Sequence, residues 1–305
     1  MRRVTVLLFG ASGHLGRWVD RALSARPGRV AVVRVGRAAP RGPGWVRHDL
    51  AADDPAGLAG LLAAVAPDAV VNCAGLLDGT AAELVAANVT AVARLLDAVP
   101  AAAPGARLVT VGSAAEYGVV PEGRAVAEDA PERPVSPYGI TKLAGTALVR
   151  AAVAAGRLDA VVPRVFNPVG PGTPTGTVLG RAAAAIRTAA ATGGTVRLGP
   201  LDAHRDFVDV RDVAGAIAAA ALAPGPVGPV LNVGTGTAVP VREAVGLLVE
   251  ASGFGGRVVE ADPAPARSGA VRWIAADPTR IRRALGWGPR HDLAASVRDL
   301  WACPA

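Results

Sequence analysis

Short apolar runs rich in β-branched residues recur through the first half of the chain, at 4–9, 30–35, 69–72, 108–112 and 160–164. Each predicts a buried strand. Stretches with helical spacing lie between them, at 14–25, 55–65, 80–99 and 138–155. Strand alternating with helix predicts an α/β fold with a doubly wound parallel sheet and right-handed crossovers. Beyond residue 165 the pattern loosens, with proline and glycine at 168–176, 193–200 and 224–229. Shorter elements follow: helices near 177–191, 211–223, 241–252 and 293–301, and strands near 195–198 and 230–233. The expected organisation is a sheet domain over 1–165 and a smaller lobe over 166–305, interleaved with the end of the sheet, the boundary being soft near 165–175.

Composition narrows the picture. With 305 residues, 51% hydrophobic and 19% charged, the chain can bury a full core. No apolar run approaches the roughly 20 residues of a membrane span, and the alanine-rich stretches 181–191 and 213–223 read as packed helices. Met1-Arg-Arg before an apolar run mimics a secretory leader, but the run is too short and opens on a glycine-rich turn. It is read as the first strand of a cytoplasmic protein. The net charge of +7 comes without a basic tail or an aromatic-rich binding motif, so a small anionic ligand such as a nucleotide is expected rather than nucleic acid. Cys73 and Cys303 make no disulfide framework, and His14, His48, His204 and His291 show no ligand spacing, so no metal is expected.

The first strand runs directly into Gly10-Ala-Ser12-Gly13-His14-Leu15-Gly16, which opens a helix. In that context the glycines suit the tight turn, the close approach of a pyrophosphate and the helix packing of a Rossmann dinucleotide site. An acid at the end of the second strand would bind the adenosine ribose hydroxyls; here the chain reads Arg34-Val-Gly36-Arg37. A missing acid with a guanidinium at hand favours NADP, with NAD the alternative and a solvated strand end the bland reading of Arg37. His48-Asp49-Leu50 follows a third strand, where Asp49 either accepts from an adenine amine or caps a helix. Asn72-Cys73-Ala74-Gly75 ends the fourth strand at the rim where ligands bind in open α/β sheets, and Asn88, in the following helix, has a structural reading as an amide tie between strands.

One lysine occurs in the chain, Lys142, and it lies four residues after Tyr138, one of two tyrosines. One helical turn sets both on the same face. Arginine cannot replace a compact ammonium that must hold a ribose and stabilise a phenolate. Ser113, ending the fifth strand, completes a Ser–Tyr–Lys set. Hydride transfer at a carbinol carbon needs a proton on the attached oxygen. For Tyr138 to exchange it near neutrality its pKa must fall from about 10, which an adjacent ammonium achieves.

Together these motifs resemble the extended short-chain dehydrogenase/reductase family, in its nucleotide-sugar epimerase/dehydratase/reductase branch. Arg164-Val-Phe-Asn167-Pro-Val-Gly-Pro-Gly172, Arg205-Asp206-Phe-Val-Asp-Val-Arg-Asp212, Asn232-Val-Gly234 and Leu285-Gly-Trp287 extend the resemblance over essentially the whole chain. The resemblance implies catalysis by Ser113, Tyr138 and Lys142. It implies cofactor contacts that include Pro163 and Val165, and substrate diphosphate contacts from Asn167, Arg205 and Arg267. Arg205 has a structural alternative, a pair with Asp206 or Asp209. Val111–Gly118, Pro134–Tyr138 and Leu198–Phe207 look most like GDP-6-deoxy-4-ketohexose reductases. Ala114 and Ala115 stand where the 4,6-dehydratases carry an acid, which disfavours dehydration. Those reductases often keep a glutamate at the position of Ala115. Arg267-Ser-Gly-Ala replaces their usual Arg-Pro-Ser/Ala-Asp, leaving the nucleotide base open. The implied activity is NADPH-dependent reduction of an NDP-4-keto-6-deoxyhexose, in a homodimer. The alternatives are an NDP-sugar 4-epimerase with bound NAD, a ketoreductase acting on another natural-product intermediate, and a non-catalytic NADP-sensing protein.

Overall fold

In the computed structural model, which describes residues 2–26, 28–38, 42–263 and 269–304, the apolar runs become strands. β1 (Val4–Phe9) leads into α1 (His14–Ser24), then β2 (Val30–Gly36), β3 (Trp45–Arg47), α2 (Pro55–Val65) and β4 (Ala69–Asn72). A continuous helix follows, made of α3 (Ala81–Val85), a π-helical turn over Ala86–Thr90, and α4 (Ala91–Ala102). Next come β5 (Arg107–Thr110), β6 (Gly112–Ser113), a 3-10 turn over Ala114–Glu116, α5 (Pro137–Ala154) and β7 (Ala160–Val165).

The second half contributes β8 (Asn167–Val169), α6 (Val178–Thr192), β9 (Val196–Leu198), β10 (His204–Arg205), β11 (Phe207–Asp209), α7 (Val210–Leu222) and β12 (Val230–Val233). It ends with β13 (Val239–Pro240), α8 (Val241–Ser252), β14 (Val258–Glu260), β15 (Trp273–Ile274), α9 (Thr279–Leu285) and α10 (Leu293–Ala302).

Among the described residues, eight strands form one parallel sheet in the order β12-β7-β5-β4-β1-β2-β3, with β6 beside β7. Strands buried on both faces explain the unbroken apolar runs. Val6 and Leu8 of β1 pack under Val19 and Leu23 of α1 and Ile217 of α7. Leu7 and Phe9 face the other way, onto Leu58 and Leu62 of α2 and Leu95 and Val99 of α4. Each such side chain contributes about 1.5–3 kcal/mol when buried. The order reverses at β1, which has β2 on one side and β4 on the other, so the crevice at their carboxyl ends is where this architecture holds ligands.

Residues 210–233 return to this sheet: α7 packs on α1, and β12 pairs with β7. The lobe core is Leu179 and Ile186 of α6, Leu248 of α8, and Val297 and Leu300 of α10. The parallel pairs β8–β11 and β9–β14 belong to the same half, as does the small sheet β13-β10-β15.

One expectation needs correcting. Ala81–Ala102 is a single helix of 22 residues, long and apolar enough to cross a bilayer by length and composition alone. The sequence reading missed this because Asn88 and Arg94 interrupt the apolar run. The helix lies against the sheet through Val92, Leu95, Leu96 and Val99, all buried, and Leu84 is buried in its first turns.

Candidate active site

The glycine turn forms the floor of the crevice. Gly10 has a φ of +71°, and a Cβ there would sit 2.6 Å from the Ala74 nitrogen, so only glycine lets β1 turn against the Cys73–Gly75 loop. A Cβ on Gly16 would lie 2.0 Å from the Gly10 carbonyl oxygen, so α1 starts directly over the turn. Gly13 is the N-cap, and no side chain caps that end, which leaves the first N–H groups of α1 to an anion. His14 follows, with both ring nitrogens buried and without a hydrogen-bond partner among the described residues. Burial, helped by Arg17, pushes its pKa down to about 4. Leu15 packs against the sheet core, and Ser12 is exposed beside Gly36. The cradle fits a dinucleotide pyrophosphate: it has no room for side chains at its base and an open helix end above.

At the end of β2 the two arginines separate. Arg34 turns back to α1, its Nε 2.8 Å from Asp20 Oδ2. Arg37 is exposed at the rim. Asp49 does not cap a helix: its carboxylate accepts the Ala51 N–H at 2.9 Å, and α2 is capped by Asp54 instead. Leu50 is buried.

The other wall is built by β4, β5, β6 and α5. Asn72 Oδ1 accepts the Ala74 N–H at 3.0 Å, while its amide nitrogen donates to Thr110 Oγ1 at 3.2 Å. Burial raises the Cys73 thiol to about 12, so it is neutral. Asn88 is structural, but it ties a loop to a helix rather than strands to each other: it accepts from Leu76 N–H at 3.1 Å and donates to the Leu76 carbonyl and to Thr141 Oγ1, at 2.9 and 3.1 Å. It thereby fixes the loop after β4 to α5, one residue before Lys142.

The expected fifth strand is broken at Val111. Its ladder with β7 lapses between Val109↔Val161 and Gly112↔Arg164, across Pro163, which has no N–H to give. Val111 N–H still reaches the Asn72 carbonyl, where β4 stops, so the Val111 carbonyl on that side has no strand to bond. Lys142 Nζ takes it. Ser113, at the tip of β6, pairs with Val165. Its Oγ accepts the Ala115 N–H at 3.2 Å, leaving its proton to donate elsewhere. Ser136 caps α5 through the Gly139 N–H, with Pro137 at the first position, so Tyr138 and Lys142 both project from the first turns. The structure thus sets the start of α5, which carries Tyr138 and Lys142, against the Val111–Ala115 segment that carries Ser113. Tyr117 is fully buried, donates to Asn232 Oδ1 at 2.7 Å and is raised to about 12 by burial, which disqualifies it as a proton donor.

Sequence reasoning missed the layer beneath. Glu116 and Arg164 are both fully buried and paired at 2.6 Å, and Arg164 continues to Glu132. The sequence presents Arg164 only as part of the segment Arg164–Gly172. The spacing Ser113-Ala-Ala-Glu116, a capping box, was the available signal.

Of the substrate-side residues, Asn167 is partly buried and its amide donates to the Asp206 carbonyl at 3.1 Å. Arg205 is buried and donates to the carbonyls of His204 and Val271, at 2.9 and 2.6 Å. Its alternative partners are engaged elsewhere: Asp206 accepts from Thr235, Gly236 and Ala276, and Asp209 pairs with Arg211. Arg267 lies outside the described residues.

Comparison with known proteins gives a consistent picture. The model of the NAD dependent epimerase/dehydratase family matches residues 6–234. A dTDP-6-deoxy-L-talose 4-dehydrogenase (NAD(P)(+)) from Kitasatospora kifunensis is 43% identical over 304 residues, covering 98% of this chain and 94% of the relative. A UDP-glucose 4-epimerase from Azospirillum brasilense is 36% identical over 201 residues, 61% of this chain and 57% of its own. The structure of RMD from Pseudomonas aeruginosa complexed with NADPH superposes with a TM-score of 0.84 at 26% identity, covering 99% of this chain and 98% of that one.

Proposed function

Because the chain belongs to the NAD-dependent epimerase/dehydratase family, we propose that it reduces the 4-keto group of an NDP-4-keto-6-deoxyhexose with NADPH. At the coarser level it is an NAD(P)-dependent enzyme of the short-chain dehydrogenase/reductase type that acts on nucleotide sugars. The observation that supports the finer reading is Arg37, exposed at the end of β2 where an acid would suit NAD, alongside the talose 4-dehydrogenase relative.

NADPH, when bound, supplies the hydride. Gly10, Gly13 and the N-terminus of α1 hold the pyrophosphate, Arg37 takes the 2′-phosphate, and the Lys142 ammonium serves the ribose beside the nicotinamide. Ser113 donates its free hydroxyl proton to the keto oxygen and so orients the carbonyl. Tyr138 gives its phenolic proton to that oxygen as the alcohol forms, and Lys142 stabilises the phenolate left behind. Ala114 and Ala115 offer no acid for elimination of water. Glu116 points down to Arg164 and takes no such part.

The talose dehydrogenase relative makes thymidine the first base to test. Purified protein is mixed with NADPH or NADH and a panel of dTDP- and GDP-4-keto-6-deoxyhexoses, and nicotinamide absorbance is followed. Stoichiometric loss of NADPH supports the reductase. The Azospirillum relative favours a second reading, an epimerase. That reading prevails where no cofactor is consumed and NAD carried by the protein supports interconversion of sugar epimers. The same family reading makes the protein a homodimer, and Val85, Ile140 and Leu148, apolar and exposed on α3 and α5, supply a surface for it.

A further inference from the structure

Glu116 is fully buried, yet the proton transfer makes no use of it. A buried carboxylate is costly unless it is paired and hydrogen-bonded, and a neutral side chain would close the turn as well. Its two oxygens are fully committed. Oε1 accepts the Ser113 N–H at 2.8 Å, and Oε2 meets Arg164 Nε at 2.6 Å. Arg164 lies 4.7 Å from the Tyr117 ring and reaches Glu132, which pairs in turn with Arg150 at 2.7 Å. Gly112 makes room for the arrangement, since a Cβ there would lie 2.8 Å from Glu116 Oε1 and 3.1 Å from Arg164 Cγ.

The segment Val111–Ser113 is therefore held from two sides. Lys142 takes the carbonyl of its first residue, and Glu116 takes the N–H of its last. We propose that Glu116 is a positioning residue: locked by Arg164, it anchors Ser113 from beneath and supplies the negative charge that the buried Lys142 ammonium requires. This rests on the Ser113–Tyr138–Lys142 reading of the site.

The groups around Lys142 support it. Burial draws its pKa below the ordinary lysine range, and Glu116 is the largest opposing influence, with Cys73 second. The Cys73 thiol, at about 12, is neutral near pH 7 and brings no charge. Tyr138 stands one turn earlier on the same helix. Arg164 from β7 lies behind Glu116, where Glu132 shares its charge. Among the described residues, Glu116 is the negative charge that bears on Lys142.

Glu116→Gln keeps an acceptor for the Ser113 N–H and nearly the same volume while removing the charge. Lys142 is the only lysine in the chain, so protein labelled with 15N-lysine gives a single side-chain signal, which NMR can titrate without substrate. The variant is expected to lose the Lys142 proton about one pH unit lower than the wild type, because the charged form has lost its partner. Its kcat for keto reduction falls about tenfold, and the alkaline limb of the rate profile moves down with the titration. KM for the nucleotide sugar and Kd for NADPH stay within about twofold, since no binding contact is removed. An unchanged Lys142 midpoint overturns the proposal. Should Glu116→Gln fail to fold, the double variant Glu116→Gln/Arg164→Met removes the guanidinium that would lose its partner while Glu132 keeps Arg150, and the same midpoint decides. A wild type that reduces none of the sugars sinks the reductase reading alone, because the titration still judges Glu116.

Discussion

Phenylalanine at position 138 would remove one oxygen and leave the helix start unchanged, with Ser136 still capping the Gly139 N–H. Tyr138→Phe is expected to lower kcat by about 100- to 10,000-fold, the range for loss of a general acid, with NADPH affinity nearly intact by fluorescence titration. Turnover at the wild-type rate would remove Tyr138 as the proton donor. Arg37→Asp replaces an exposed cation at the end of β2 with the acid that suits a ribose hydroxyl. The ratio of NADPH to NADH in kcat/KM should fall about 10- to 100-fold, as one charge-assisted contact allows; an unmoved ratio refutes the contact. His14 carries a pH signature. Its folded pKa, about 4, lies below the unfolded 6.5, so the folded ring stays neutral while the unfolded chain takes up a proton. Stability of the cofactor-free protein is full above about pH 6.5 and declines as pH falls toward 4. His48, lowered mainly by burial, acts in the same direction. Urea midpoints at pH 7 and 5 should therefore converge in His14→Phe relative to the wild type. The site was legible where chemistry dictates residue type, as at the lone lysine and the hydroxyl ending a strand. Glu116–Arg164 was not, because the pair joins residues 48 apart and only the folded sheet brings them together.

At the scale of elements, the long strands and helices of the first half were legible because each buries a whole apolar run. Of the nine strands of two or three residues among the described residues, six were missed, β8, β10, β11 and β13 to β15, because so few positions show no period on their own. α9 was missed for a similar reason: of its seven residues only Ile281 is buried. Pro100, inside α4, shows how a local rule is offset by tertiary structure. Proline cannot bond the carbonyl of Leu96 one turn back, and Arg157 supplies that bond at 3.2 Å while pairing with Asp97 at 2.9 Å. Pro100→Ala should stabilise the protein by about 1 kcal/mol in urea denaturation, less than the ~3 kcal/mol of an interior proline, since the carbonyl is already satisfied. Arg157→Ala should then cost less in the Pro100→Ala background than in the wild type, because the helix N–H replaces the guanidinium. Additive effects would show that Arg157 does not compensate for the proline.

For the molecule as a whole, the helices covering the sheet divide by what their outer faces offer. α1 and α7 pack on each other, and α6, α8 and α10 close the lobe. α3 and α5 instead leave Val85, Ile140 and Leu148 exposed, and Leu77, in the loop before α3, is exposed as well. α5 also carries Tyr138 and Lys142, and the π-helical turn after α3 carries Asn88. Two copies meeting through a twofold axis would cover each of these side chains twice, and an isologous contact needs no other partner. Each side chain buried contributes about 1.5–3 kcal/mol before the cost of association is met. The wild type is expected to sediment at twice the 30.5 kDa chain mass at micromolar concentration. Ile140→Glu/Leu148→Glu, which places charges at the middle of that face, should sediment as a monomer with unchanged far-UV dichroism. A wild type that sediments at the chain mass would show that this face does not self-associate, and a dimeric double variant would move the interface elsewhere.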